Sequence, residues 1–300
     1  MFRLNPYAWN PAVAGTENTL IATGVYRQQW TDLEGAPIGQ QVNVHLPFYR
    51  ISSGLGIKLD NDAIGAHRST QAMVSYAYHK ELGRSVFLSL GLSAGYMQYA
   101  LDGTKLRAPE GTYAEPSGTF SHNDTQIPEG KLATGTPVFE AGVHLEYKNA
   151  TLGFSSLPVF APVIEAQSGG LFRLKPQQHY IMMASYKQEL GKNWYIEPSI
   201  FAKTDFLVTQ IDLSFSFHWQ ENIFAGASYR GFTAKAQDAF VIMGGWRMNE
   251  KTTIAYSFDL PLSPLKQVNR GSHELLVRYS LNKPIGRGVL PPVIYNPRFW

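Results

Sequence analysis

Fourteen short stretches of the chain alternate apolar with polar residues, and the connections between them run short, long, short, long. Between 85 and 96 the even positions Val86, Leu88, Leu90, Leu92, Ala94 and Tyr96 are apolar or aromatic. Ser89, Gly91, Ser93 and Gly95 fall between them, with Phe87 the exception. Ile211, Leu213, Phe215, Phe217 and Trp219 likewise oppose Asp212, Ser214, Ser216 and His218. Ile254, Tyr256, Phe258 and Leu260 oppose Thr253, Ser257 and Asp259, and Leu275, Val277, Tyr279 and Leu281 oppose Glu274, Arg278 and Ser280. A period of two is that of a strand with one face turned from water.

The pattern predicts strands near 19–30, 38–47, 52–60, 68–80, 85–101, 137–147, 150–158, 176–188, 194–203, 206–218, 222–232, 237–248, 251–260 and 272–282. Alternation alone fits a soluble sandwich as well as a membrane barrel, so the connections decide. Those at 47–50, 81–84, 148–150, 189–193, 219–221 and 249–251 are tight and fall on one rim. The opposite rim takes 31–37, 61–67, 102–136, 159–175, 233–236 and 261–271, with only the connection near Asp205 equally short. The expected fold is all-β, a 14-stranded antiparallel transmembrane β-barrel over 19–283, with both termini on the short-turn, periplasmic side. Residues 1–18 are expected to form a periplasmic or plug-like segment, because Asn10-Pro11 starts a turn and Gly15 admits a backbone angle other residues resist. Residues 284–300 are expected to be a periplasmic tail.

Composition agrees. Aromatic residues make up 13% of the chain and charged residues only 16%, yet the mean hydropathy of −0.18 is low for a helical membrane protein. No run approaches the roughly 20 apolar residues a spanning helix needs, whereas a spanning strand needs about 9–11 with only alternate residues facing lipid. Tyr26, Trp30, Tyr78, Tyr99, Tyr147, Trp194, Trp219, Tyr229 and Trp246 lie near strand ends, as interfacial girdles would; ordinary core aromatics are the other reading. A net charge of +3 without a basic block gives no reason to invoke nucleic acid. The absence of cysteine excludes disulfides and thiolate metal sites. The opening Met1-Phe2-Arg3-Leu4-Asn5-Pro6 has no apolar core of a signal peptide, so the signal peptide an outer-membrane protein needs is expected to precede this numbering.

Several segments stand out in chain order: Asn10-Pro11-Ala12-Val13-Ala14-Gly15, Arg27-Gln28-Gln29-Trp30 ahead of Gly35-Ala36-Pro37, and Gly54-Leu55-Gly56 ahead of Asp60. Later come Glu197-Pro198-Ser199, Gly226-Ala227-Ser228-Tyr229-Arg230, Gly271-Ser272-His273-Glu274-Leu275 and the closing Asn296-Pro297-Arg298-Phe299. Together these segments resemble the PorP/SprF family of Bacteroidota outer-membrane proteins of the type IX secretion and gliding-motility system. The resemblance implies an outer-membrane protein that helps export large secreted adhesins, or holds them at the surface, through their C-terminal domains. It also implies other secretion components as partners. Gly271-Ser272-His273-Glu274 reads equally well as a turn and strand start.

Catalytic readings find little support. The eight histidines are scattered without metal-ligand spacing. Gly91-Leu92-Ser93-Ala94-Gly95 matches a nucleophile-elbow string but lies in mid-strand, where no turn into a helix exists to expose the serine. Gly54-Leu55-Gly56 is too short for a dinucleotide loop. Ser272-His273 beside Asp259 is no stronger a candidate. No enzyme activity, cofactor or metal is expected.

The inward face predicts a filled or constricted lumen. Glu140, His144, Glu197, Lys203, Asp212, His218, Arg230, Arg247, Glu274 and Arg278 share it, with both signs able to pair across the interior. A narrow porin-like channel would also have a charged lumen, and a subunit docking on the periplasmic motor ring is a third reading. On the long-loop rim, Leu106, Tyr113, Phe120 and Ile127 in 102–136, with Phe160, Ile164, Leu171 and Phe172 in 159–175, are the candidate partner-binding residues; packing of the two loops over the lumen is the alternative.

Overall fold

The computed structural model describes residues 1–114, 119–124, 127–159, 163–167, 171–174, 176–220, 222–231, 239–283 and 285. Fourteen strands form one antiparallel sheet: β1 (Ile21–Gln28), β2 (Ile38–Phe48), β3 (Ser53–Ile64), β4 (His67–Gly83), β5 (Val86–Asp102), β6 (Lys131–Tyr147) and β7 (Ala150–Leu157) come first. They are followed by β8 (His179–Tyr186), β9 (Trp194–Thr204), β10 (Thr209–Trp219), β11 (Ile223–Arg230), β12 (Ala239–Arg247), β13 (Thr252–Pro261) and β14 (Ser272–Ser280). Each strand pairs with its neighbours in sequence. β14 pairs with β1, Ile21 opposite Ser280 and Gln28 opposite His273, so the sheet closes as a barrel with no free edge. The short piece Gln188–Glu189 extends the pairing onto β9.

The pleat sorts side chains as the alternation predicts. Leu92 is 65% exposed and Val74 61%, while Ser93 and Ser75 beside them are buried. Val42, Ile57, Leu90, Phe154, Leu213, Phe215 and Ile242 continue the outward apolar surface around the wall. So continuous an apolar exterior is what a hydrocarbon surround requires. Tyr78, Tyr147, Tyr186, Trp194, Trp219 and Trp246 stand outward near the short-turn ends, the rings of Trp194 and Trp219 stacked at 5.8 Å. Tyr26 and Tyr96 stand outward near the other ends.

Three expected boundaries are corrected. The connection placed at 61–67 is only Gly65-Ala66, because β3 and β4 run on to Ile64 and from His67. There the outward side carries Asn61 and Thr70 and the inward side Asp60 and Asp62, so polarity on both faces erases the alternation while pairing continues. Asn61 Nδ2 donates to Gln40 Oε1 at 3.0 Å and Thr70 Oγ1 to Asn61 Oδ1 at 3.2 Å, a polar row above the apolar band. For the same reason the loop expected at 102–136 begins after Asp102 and ends at Gly130, since β6 starts at Lys131. The strand expected from 206 starts instead at Thr209. β4, β5 and β6 are each 17 residues long against 8 for β1 and β7. Since about 9–11 residues cross the membrane, these three strands project beyond it as a raised wall on the long-loop side.

Candidate functional site

The N-terminal residues occupy the lumen. Three 3-10 turns follow one another, Phe2–Leu4, Pro6–Ala8 and Pro11–Val13, two of them opened by proline, whose fixed φ suits the first position. Asn10 caps the third: its Oδ1 accepts from Ala12 N at 2.9 Å, and its Nδ2 donates to Val143 O in the wall, also at 2.9 Å. Gly15 then turns the chain at φ +80°. Tyr7, Asn10, Ala12, Val13 and Ala14 are all buried.

The wall is shaped to receive this segment. A Cβ on Gly54 would lie 1.9 Å from Ala14 O, one on Gly91 2.2 Å from Ala12 N, and one on Gly142 2.1 Å from Asn10 Oδ1. Glycine at these places opens a groove in which β3 and β5 meet the backbone of the segment and β6 meets the Asn10 side-chain amide. Polar contacts fix the fit. Tyr7 OH donates to Ser75 Oγ at 2.8 Å, Gly15 N to His45 Nδ1 at 3.1 Å, and Ser155 Oγ to Trp9 O at 2.6 Å. Asn5 Nδ2 donates to Gln41 Oε1 at 2.8 Å, and Asn5 Oδ1 accepts from Asn43 Nδ2 at 3.0 Å. Phe2 and Trp9 each meet Phe201 with ring centroids 5.1 Å apart. Burial pushes the Tyr7 phenol up to about 12.

Charged groups complete the seat. Lys58 Nζ lies 2.9 and 3.1 Å from the two oxygens of Glu140 and donates to Ala8 O at 3.3 Å. Arg3 pairs with Glu197, and Arg278 pairs with Glu17 while donating to Leu4 O at 2.7 Å. Burial opposes the charge of Glu17, but the Arg278 guanidinium outweighs it and holds the carboxyl below its ordinary value. Nearer the long-loop end, Arg27 reaches Asp259 at 2.5 Å and Glu274 at 2.7 Å, and Arg230 reaches Asp259 at 2.7 Å and Asp212 at 2.9 Å. Beside Phe2 and Leu4 remains a small cavity of about 40 Å³, lined on the barrel side by Ser199, Ser214, Ser228 and the Asp212–Arg230 pair.

Thus Asp212, Arg230 and Glu274 from the sequence-derived set enter one charge belt, whereas Glu140, Glu197 and Arg278 each engage or adjoin the N-terminal segment. His144 turns to Glu146 at 3.0 Å, and His218 lies 2.9 Å from Ser216 Oγ and stacks on Tyr195. Arg247 and Lys203 are half-buried. Sequence reasoning missed Arg3, Glu17, Arg27, Lys58 and His45. Arg27 and Lys58 were detectable as charges on the inward register of β1 and β3, but their partners were not. Ser93, in the elbow-like string, bonds Ser75 at 2.7 Å beneath Tyr7, and Ser272 Oγ accepts from Trp30 N at 3.1 Å.

On the long-loop rim, Leu106 and Ile127 are half-buried. Tyr113 packs within its own loop: its OH accepts from Ala108 N at 2.6 Å and lies 2.8 Å from His122 Nδ1. Its backbone pairs with that of Phe120 in a hairpin of Thr112–Ala114 with Thr119–Ser121. A second hairpin, Ile164–Gln167 with Leu171–Leu174, brings in the backbones of Ile164, Leu171 and Phe172. The side chains of Phe120, Ile164, Leu171 and Phe172, and Phe160 and most of the 284–300 tail altogether, lie outside the described residues.

Solved structures share the architecture. The Ralstonia pickettii toluene transporter TbuX aligns over 91% of this chain and 92% of its own, with TM-score 0.52 and 9% identity. The TodX deltaS2S3 mutant, a monoaromatic hydrocarbon channel, aligns over 93% and 94% with TM-score 0.50 and 12% identity. At such identity the likeness concerns the fold. No curated protein matches the sequence. The profile of the type IX secretion system membrane protein PorP/SprF matches residues 1–279. The fold is that of outer-membrane barrels, and the chain belongs to the PorP/SprF family of type IX secretion system outer-membrane proteins.

Proposed function

We propose that this barrel works as a surface anchor, binding the C-terminal domain of a large secreted adhesin on its long-loop rim and supporting its export or retention. The observation that carries the reading is the seated N-terminal segment. Buried chain fills much of the space a solute would need, so the rim, with its raised wall and two hairpins, is the largest surface left for a partner. Docking on the periplasmic motor through the opposite rim is less favourable, because those turns are a few residues each and a standard interface uses about 20–30 residues a side. Purification from native membranes should bring the adhesin domain down with the barrel, and deleting 106–127 from an assembled barrel should release it. Undiminished copurification would remove this loop as the main binding site. The serine-lined cavity beside Phe2 keeps a narrow channel as the second reading. Steady conductance of the isolated protein in planar bilayers would favour it.

A further inference from the structure

Among the described residues, the most exposed large apolar side chains belong to the β9–β10 connection. Its Phe206, Leu207 and Val208 are 76%, 84% and 51% exposed, at the tip of the tight turn following Thr204. Three apolar side chains on a four-residue turn in water would be costly and unusual.

Strand length tells what covers them. β9 and β10 have 11 residues each, about the number a tilted strand needs to cross the hydrocarbon layer, with none to spare. The stacked Trp194 and Trp219 mark the near interface at the other ends of the same two strands. The turn therefore reaches the far interface and stops there. Outward aromatics lead up to it: Phe154 and Tyr180 stack with centroids 6.3 Å apart, and Tyr180 meets Phe206 at 4.7 Å. Between Ala202 and Ile211 and the turn the outward face carries one polar pair, Thr204 and Thr209, whose hydroxyls bond each other at 2.8 Å, where β2–β4 carry the longer row of Gln40, Asn61 and Thr70.

Immersion also demands that the turn satisfy its own backbone. It does. Thr204 Oγ1 accepts from Phe206 N at 3.0 Å, and Asp205 Oδ1 accepts from Leu207 N at 2.9 Å and Val208 N at 2.7 Å.

We propose that the β9–β10 turn is an interfacial lipid anchor: Phe206, Leu207 and Val208 insert among the headgroups and upper acyl chains on the long-loop side. That edge of the barrel is pinned at the bilayer surface while the β4–β6 wall, separated from it by β7 and β8, stands clear of it. The rim is a slope, high at the wall and level with lipid at the turn.

The chain has no cysteine, so one introduced thiol reports one place. Leu207→Cys, Val208→Cys, Thr104→Cys and Leu213→Cys would each carry an environment-sensitive fluorophore in phosphatidylcholine vesicles. The vesicles would contain lipids with a nitroxide at the headgroup or at mid-chain. Positions 207 and 208 should be quenched severalfold more by the headgroup nitroxide than position 104, and position 213 should respond most to the mid-chain label. Two results would overturn the proposal: quenching of 207 and 208 by aqueous iodide to the extent seen at 104, which places the turn in water, or protection from both lipid and aqueous quenchers, which places it against protein. Two adjacent reporters guard against a dye that disturbs the turn.

Discussion

Gly91→Ala is the sharpest test of how the lumen is filled. The added Cβ would stand 2.2 Å from Ala12 N, 2.4 Å from Ala12 Cα and 2.4 Å from Pro11 C, all backbone atoms with no rotamer to escape into. Ordinary contact begins about 1 Å further out, so either the strand or the segment must move. The strand is tied on both sides, Gly91 opposite Ala77 and Gly142, and the segment is the softer of the two. Overpacking of this kind costs about 1–3 kcal/mol, which at 1.4 kcal/mol per decade raises the unseated population roughly 5- to 150-fold. Val13→Cys supplies the readout, being close to valine in size and buried at 2% exposure. Its labelling by a water-soluble maleimide should accelerate by that factor in Gly91→Ala, while heat-modifiable electrophoretic mobility still reports a closed barrel. Gly24→Ala is the control, since a Cβ there meets nothing within 4 Å. Unchanged labelling in an assembled Gly91→Ala barrel, or equal acceleration in Gly24→Ala, would refute the groove.

Three other expectations are independent of that one. Leu213→Arg places a charge in lipid and should cost about 2–4 kcal/mol near the midplane, whereas Ser214→Arg points into the lumen and should assemble better; the reverse order of folded fractions in vesicles would invert the facing of every strand. Lys58→Met leaves Glu140 buried without its cation and should lower stability by about 3–5 kcal/mol in urea titrations, with Glu140→Leu restoring most of it in the double variant. Seated Glu17 titrates below its ordinary value because of Arg278, with Arg3 and His45 also facing it, so its contribution is present above that ordinary value and disappears as pH falls through the lowered one. Pepsin cleavage of the N-terminal segment should therefore rise as pH falls below the ordinary value of 4.5, and Glu17→Gln should flatten the rise; a dependence unaltered by Glu17→Gln would assign it to another group.

The strands were legible wherever one face met lipid and the other the lumen, because that contrast is written into alternate residues, as in Ile211–Trp219. It failed where a strand leaves the bilayer. Asp60, Asn61 and Asp62 are polar on both faces, and six positions from Lys131 to Thr136 pair in the sheet without an apolar stripe to announce it. It failed in the opposite sense at Phe206 and Leu207, whose apolarity reads as strand although Asp205 closes a turn there.

The lumen was legible as a set of charges but not as a fit. Asn10-Pro11 and Gly15 identify a turn from local stereochemistry, and Gly91-Leu92-Ser93-Ala94-Gly95 identifies small residues in a strand. Nothing in either string names the other, because a complementary surface is a relation between distant parts of the chain. In the folded barrel Ala12 lies against Gly91, Ala14 against Gly54 and Asn10 against Gly142. The same relation gives Ser93 its role, as the hydroxyl behind Ser75 on which Tyr7 rests. A string that suggests a nucleophile in isolation is here part of a seat. Glycine that weakens a strand by about 0.5–1 kcal/mol relative to alanine is retained because a methyl group there would occupy the place of the seated segment.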